Sequence, residues 1–245
     1  MATKFIQVNY FFKCASVSLL FLLAGCITSL PNPQGVVSSA PKPAPTVRAP
    51  KVGQEWVYQV RNVFNGEIVD TVTEKVVSVG NEVRIARSSL KEGALPDEVQ
   101  SPWGYVLQDP HWSPPQKFLV AIPMWPEQLN IDSNGFYRTR YQVLGYPDGS
   151  YYWGLNISPL QWERISVPAG QFLTLKYRNE LPYFQSQDVF RIFNYREEEL
   201  WLAPEVGRWV IRRSFGRYLL GGMRWDEAFW EDYLESLYTS YFYPG

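Results

Sequence analysis

The 245-residue chain carries 23 Lys and Arg against 24 Asp and Glu, a formal charge of −1 that leaves no basic footprint for nucleic acid. Hydrophobic residues make up 46 %, enough for a substantial core, and the length fits one all-β domain. A single histidine rules out a zinc site built from several histidines.

Residues 1–25 have the layout of a secretory signal. Lys4 and Lys13 precede an apolar run from Ala15 to Leu23 that is too short to span a bilayer. The run ends in Leu23-Ala24-Gly25-Cys26, which resembles the lipobox of bacterial lipoproteins. That resemblance implies cleavage before Cys26, a diacylglycerol group on its sulfur, and palmitate or another acyl chain on the new amino terminus. Two or more chains give stable membrane attachment where one does not. Cleavage removes Lys4 and Lys13 and no acid, so the formal charge moves from −1 to −3. Cys14 leaves with the signal and Cys26 is committed to lipid, so the folded part has no thiol and no disulfide. In Gram-negative lipoproteins an Asp after the lipidated Cys favours the inner membrane. Ile27 stands there, so in a Gram-negative source the resemblance implies the outer membrane, facing the periplasm.

Residues 26–50 read as the lipidated Cys and a tether. Pro31, Pro33, Pro41, Pro43, Pro45 and Pro50 alternate with small residues, and an extended chain of this kind reaches on the order of 70 Å. Residues 51–245 then read as one β-rich domain. Glu55 to Val60 opens a strand, Asn65-Gly66 is a hairpin turn, and Glu67 to Val79 is rich in Val and Thr. Gly80-Asn81 turns the chain into Val83 and Ile85. Prolines limit residues 91–130 to short strands near Gly104–Gln108 and Lys117–Ala121. Asp132 to Gly135 leads into Phe136–Leu144, and Pro147-Asp148-Gly149 predicts the next turn. Trp162–Val167 and Gln171–Tyr177 flank the turn Pro168-Ala169-Gly170. Asp188–Leu202 reads as one long strand, returned through Ala203–Gly207 into Arg208–Arg213. In the tail, Trp225, Phe229, Tyr233 and Leu237 recur every four residues among acids, which predicts an amphipathic helix over about 225–238.

Three segments carry a second resemblance: Val52–Tyr58, Val167–Phe172 and Glu199–Gly207. They are similar to envelope β-proteins whose fold resembles that of the LolA/LolB lipoprotein carriers. This implies a mainly β architecture, a curved antiparallel sheet or half-barrel with a helix in its mouth. It carries over no binding residue.

Candidate chemistry is sparse. His111 has no second histidine or thiol for a triad or pair, and reads as a packing or surface residue. Asp132-Ser133-Asn134-Gly135 lacks the Gly and Glu a calcium loop needs later on, so no metal or cofactor is expected. Glu197 with Glu199, and Asp226, Glu227 and Glu231, are carboxylates of the kind a glycosidase pairs, but Arg208, Arg212, Arg213, Arg217 and Arg224 precede the acidic tail segment, and charge pairing between helix and sheet is the simpler account. Tryptophans remain. Trp103, Trp125, Trp153 and Trp162, with Trp225 and Phe229 of the tail, either pack the core or line a site for an apolar ligand or a sugar ring. The expectation is a non-enzymatic, membrane-anchored envelope lipoprotein binding a lipid or acyl chain. The alternatives are an assembly lipoprotein docking another envelope protein, and a protein that binds or cleaves cell-wall glycan.

Overall fold

Short turns between long, alternating strands leave the chain one simple option, which is to add each strand beside the last. In the computed structural model, which describes residues 33–238 except 183, that is the topology. The strands are β1 (Val36–Val37), β2 (Glu55–Asn62), β3 (Ile68–Val79), β4 (Val83–Ser89), β5 (Gly93–Gln100), β6 (Tyr105–Asp109) and β7 (Gln116–Pro123). They continue as β8 (Gly135–Val143), β9 (Tyr146–Val167), β10 (Gly170–Pro182), β11 (Ile192–Ala203), β12 (Arg208–Leu220) and β13 (Met223–Tyr238). From β2 to β13 every strand pairs antiparallel with the next, β13 pairs with β2, and β8 meets the first half of β9. The wrap stays open over part of its length. Strands β7 and β8 pair only through Gln116–Phe118 and Tyr141–Val143, and β5 meets β6 at only two positions. The mainly β, curved antiparallel reading is correct.

The C-terminal helix is not. Residues 223–238 form β13, hydrogen-bonded to β12 on one side and β2 on the other. A spacing of four is one face of a helix, but it is also an even number, so it keeps to one side of a strand. Pairing decides between them: without β13, both β12 and β2 would expose a row of unsatisfied backbone groups. Pro147-Asp148-Gly149 differs too. The chain reverses at Leu144-Gly145, and the three residues form an irregularity inside β9 where Val143 pairs with Tyr146 but Tyr141 with Tyr151.

The expected free spacer is held to the sheet from β1 onward. Val36 and Val37 pair with Arg164 and Glu163, and Ser38 N–H donates to the Trp162 carbonyl (2.8 Å). Arg48 N–H donates to the Pro204 carbonyl (2.9 Å), and the Trp103 indole donates to the Arg48 carbonyl (3.1 Å). Proline carries no N–H, and of the donors this strap does have, those of Ser38 and Arg48 are satisfied by carbonyls of the wrap. The strap crosses the end of the wrap formed by the turns after β3, β5, β7, β9 and β11. The turns after β2, β4, β6, β8, β10 and β12 form the far end.

The core is aromatic and aliphatic, with Trp56, Tyr177, Leu175, Trp201, Leu202 and Ile211 fully covered. Each such side chain contributes about 1.5–3 kcal/mol on burial, which a disulfide-free domain depends on.

Gly207 ties turn to strap. Its φ is +81°, and a Cβ there would stand 2.6 Å from the Arg48 carbonyl oxygen. Gly207→Ala is therefore expected to cost about 1–3 kcal/mol in urea denaturation and to open residues 36–50 to protease. An unchanged midpoint with full protection would show that the strap does not need this contact.

Candidate functional site

Strand alternation predicts an apolar interior, yet charges occupy the middle of the wrap. Glu74 of β3 sits directly opposite Trp56 and Arg87 in the neighbouring strands, so the three share a face. Arg87 Nε donates to its Oε1 (2.9 Å). From across the wrap, Arg208 of β12 places its fork on Glu98 of β5, at 3.0 and 2.7 Å, and its Nη2 also lies 2.6 Å from Glu74 Oε2. The turn after β6 folds inward and delivers His111. Its Nδ1 lies 2.9 Å from Asp109 Oδ1 and its Nε2 3.1 Å from Glu74 Oε1. Both contacts are hydrogen bonds only when the ring carries both protons. Arg212 is committed to Glu198 of β11 through Nε (3.1 Å) and Nη2. Trp209 lies among them, with the Arg208 guanidinium 3.9 Å from its ring and His111 edge-on at 5.5 Å.

These partners set the protonation states. Burial alone would raise the Glu74 carboxyl, but Arg208, His111 and Arg87 together hold it well below the usual carboxylate range. Asp109 follows the same logic, with His111 and Arg212 outweighing burial. Burial pushes the Tyr58 phenol well up, and its hydroxyl donates to the Trp209 carbonyl (3.1 Å). Asp232 of β13 goes the other way: burial raises it, and the pull of Arg212 and His111 does not cancel that.

The predicted tryptophans do not converge. Trp103 stacks on Trp56 (6.5 Å, 8° between planes) and meets Trp125 edge-on at 5.5 Å. These two border an open groove of about 600 Å³ at the strap end, shared with Pro45, Val47 and Leu129. Trp153 is buried between Phe118 (5.4 Å) and Phe184 (5.2 Å), and Trp162 is buried farther along β9. Trp225 is half exposed at the far end. Phe229 pairs its backbone with Phe215, while its side chain lies outside what the structure describes, as does Cys26. Glu197 and Glu199 both reach Arg178, at 3.4 and 2.9 Å, a partner outside the arginines of 208–224 that the sequence suggested. No group of three His, Cys, Asp or Glu placed to hold a metal occurs among the described residues.

A pattern that no motif announces lies at the far end. Phe64, Leu90, Tyr146, Phe190 and Met223 are exposed by 51, 86, 74, 74 and 62 %. They belong to, or border, five of the six far-end turns, and the sixth is the one that folds inward with His111. Phe193, next to this rim, is held at φ +51° with its ring 60 % exposed, a strained backbone that keeps an apolar group in water. At the strap end Phe136 lies under Arg138 (4.7 Å), and Val52, Val79 and Ile131 are each about half shielded.

No family model matches the chain, and no curated protein matches it. Among solved structures, it is similar to a predicted lipoprotein from Parabacteroides distasonis, with a TM-score of 0.51, 14 % identity, and coverage of 77 % of this chain and 96 % of that one. It is also similar to a predicted exported protein with a YmcC-like fold from Bacteroides fragilis, with a TM-score of 0.48, 12 % identity, and coverage of 80 % and 100 %. At 14 % identity the first likeness establishes a shared fold. Kinship with the LolA/LolB carriers rests on the sequence resemblance alone.

The buried carboxylates give the charge network a pH signature. Glu74, Asp109 and Glu199 have folded-state values depressed below their unfolded ones. Their stabilisation is therefore present above about pH 4 and is lost as pH falls further, while Asp232 contributes in the opposite sense. Urea midpoints are expected to hold between pH 8 and about pH 6 and to drop steeply below about pH 5. A profile that stays flat to about pH 3 would refute the network as drawn.

Proposed function

We propose that this chain is a non-enzymatic, lipid-anchored envelope protein that docks another envelope protein through its far-end apolar rim. The observation that carries the reading is the position of the rim relative to the anchor. Strand β9 runs toward the strap end and β1 is antiparallel to it, so residues 33–35 lie on the strap-end side of β1. Cys26 is ten residues upstream of Val36, within about 35 Å of it even when fully extended. Strands β10 and β12, at 13 residues each, span roughly 40 Å. An anchor at Cys26 thus holds the strap end near the bilayer and directs the rim away from it, into water. Exposed apolar side chains on five turns of one end call for a cover.

Protein suits the rim better than lipid. Charges around it are mixed, with Arg191 beside Asp188 and Arg224 beside Asp226, so it offers no net attraction to an anionic surface. In a Gram-negative source Ile27 directs the anchor to the outer membrane, with the domain in the periplasm. The carrier reading finds support in the Trp103–Trp125 groove, but the interior, where an acyl chain would lie, is filled by packed aromatic and aliphatic side chains with ion pairs among them. Docking is therefore the better reading.

A photo-crosslinking amino acid placed at Leu90 or Phe190 of the full-length protein, in intact cells, should give one defined protein adduct. The same group at Val79 should give none. Leu90→Ser with Phe190→Ser should abolish the adduct while leaving the melting temperature within a few degrees, as expected of exposed positions. Equal adducts from both ends, or lipid adducts from the rim, would overturn the proposal. The anchor is tested separately: Cys26→Ala should move the protein to the soluble fraction, and retention in membranes would sink that part.

A further inference from the structure

A cleft of about 320 Å³ opens beside the charge network, at the lower end of the range for small-molecule sites. Its walls come from β2, β3, β12 and β13, and its mouth lies at the turn after β4, where Lys91 and Glu92 are exposed. The register explains what faces it. Arg212, Asp232, Val60 and Asp70 are successive cross-strand partners over β12, β13, β2 and β3, so they form one row on one face. Tyr58, Val72, Leu95 and Pro96 add an apolar lining.

The buried cations of this region are all engaged, whereas Lys91, exposed at the mouth, forms no ion pair among the described residues. Arg208 is held by Glu98 and Glu74, Arg87 by Glu74, and Arg212 by Glu198, while His111 bridges Asp109 and Glu74. Arg212 is the cross-strand neighbour of Asp232, yet both of its donors that bond a carboxylate go to Glu198. Of the carboxylates set back from the mouth, Asp70 accepts from Ser89 Oγ (2.5 Å) and Thr71 N–H (2.7 Å), and Glu74 is multiply paired. Asp232 has neither a hydrogen bond nor an ion pair among the described residues. Its carboxylate is partly shielded and lines the cleft, so water or a ligand in the cleft must satisfy it.

We infer that the cleft binds an organic ammonium group, seated on Asp232, with the compact body of the ligand against Tyr58, Val72 and Leu95. The ammonium supplies a cation that no buried side chain gives Asp232, and the apolar lining reduces the water around the pair and so strengthens it. Burial raises the Asp232 carboxyl despite the more distant pull of Arg212, His111 and Arg87, as expected where no cation bonds it directly. This inference is independent of the docking rim and stands or falls without it.

Calorimetric titration of the full-length protein in mild detergent tests it, with glucosamine and putrescine as probes and glucose and 1,4-butanediol as their uncharged counterparts. At least one amine is expected to bind saturably, and both neutral compounds to fail. Binding of glucosamine alone identifies a cyclic amino-sugar source for the ammonium, and binding of putrescine alone a linear amine. Asp232→Asn should weaken the bound amine at least tenfold while leaving the melting temperature unchanged or higher, since it removes an unpaired charge. That separates lost binding from lost folding. Glu92→Gln at the exposed mouth should change affinity by less than threefold. The inference fails if neither amine binds, if the neutral compounds bind equally well, or if Asp232→Asn and Glu92→Gln weaken binding alike.

Discussion

Arg208 is fully buried and charged, and the rest of the wrap is arranged around that fact. An unpaired guanidinium in a protein interior costs several kcal/mol, so strands that are distant in the chain must each bring a carboxylate to it. Glu98 comes from 110 residues away, and Glu74 from the strand opposite Trp56. The contact runs across the interior rather than along the sheet, and so it sets how far β12 stands from β3 and β5. Hydrogen-bonded neighbours specify a strand order, but they do not by themselves specify a curvature. The ion pairs supply that second constraint. In stability they do little better than apolar side chains of equal volume would, whereas removing one member alone would cost about 3–5 kcal/mol. Their contribution is to select one wrapped arrangement among several that the hydrophobic residues would accept.

The same constraint explains which features were legible in the sequence. Turns were, because their chemistry is local. Asn65-Gly66, Pro168-Ala169-Gly170 and Ala203–Gly207 all reverse the chain, with Gly66, Gly170 and Gly207 at positive φ. Pro147-Asp148-Gly149 carries the same local signal, yet Tyr141 and Tyr151 pair across it, and tertiary pairing overrode the turn. The tail failed for a different reason, since a four-residue repeat is degenerate between one helix face and one strand side. The Pro-rich strap looked featureless because its partners, Pro204, Trp103 and Gly207, lie far away in the sequence.

Of the candidate site, the individual tryptophans were visible but their separation was not. Two of them meet in the strap-end groove, two are core, and one is at the far end. The charge network had left one trace: Glu74 stands between Val72 and Val76, on the strand face that alternation assigns to the core. An acid in that position needs a buried cation, and Arg208 or Arg212 on another strand was the place to look. His111 left less. Its burial depends on the Asp109 carboxylate accepting the His111 N–H (2.9 Å) and turning the loop inward, a short-range contact that reads as ordinary loop chemistry until the loop is seen against β3.

The two ends of the wrap solve opposite problems. At the strap end, proline-rich chain covers the turns and the proposed anchor, Cys26, is close in sequence. At the far end the turns expose apolar side chains, and Phe193 beside them in β11 has a strained backbone. The turn after β4 belongs to both proposed surfaces. Leu90 extends outward to the rim, while Lys91 and Glu92 stand at the mouth of the cleft. One carboxylate braces all of it, since Asp70 accepts from Lys91 N–H (3.3 Å) and from Ser89 Oγ (2.5 Å). A partner seated on Leu90 and a ligand behind Lys91 would therefore press on the same few residues. Linkage then requires that any effect of one on the affinity of the other be returned in equal measure, so a docked partner would report on the cleft through a turn that touches both.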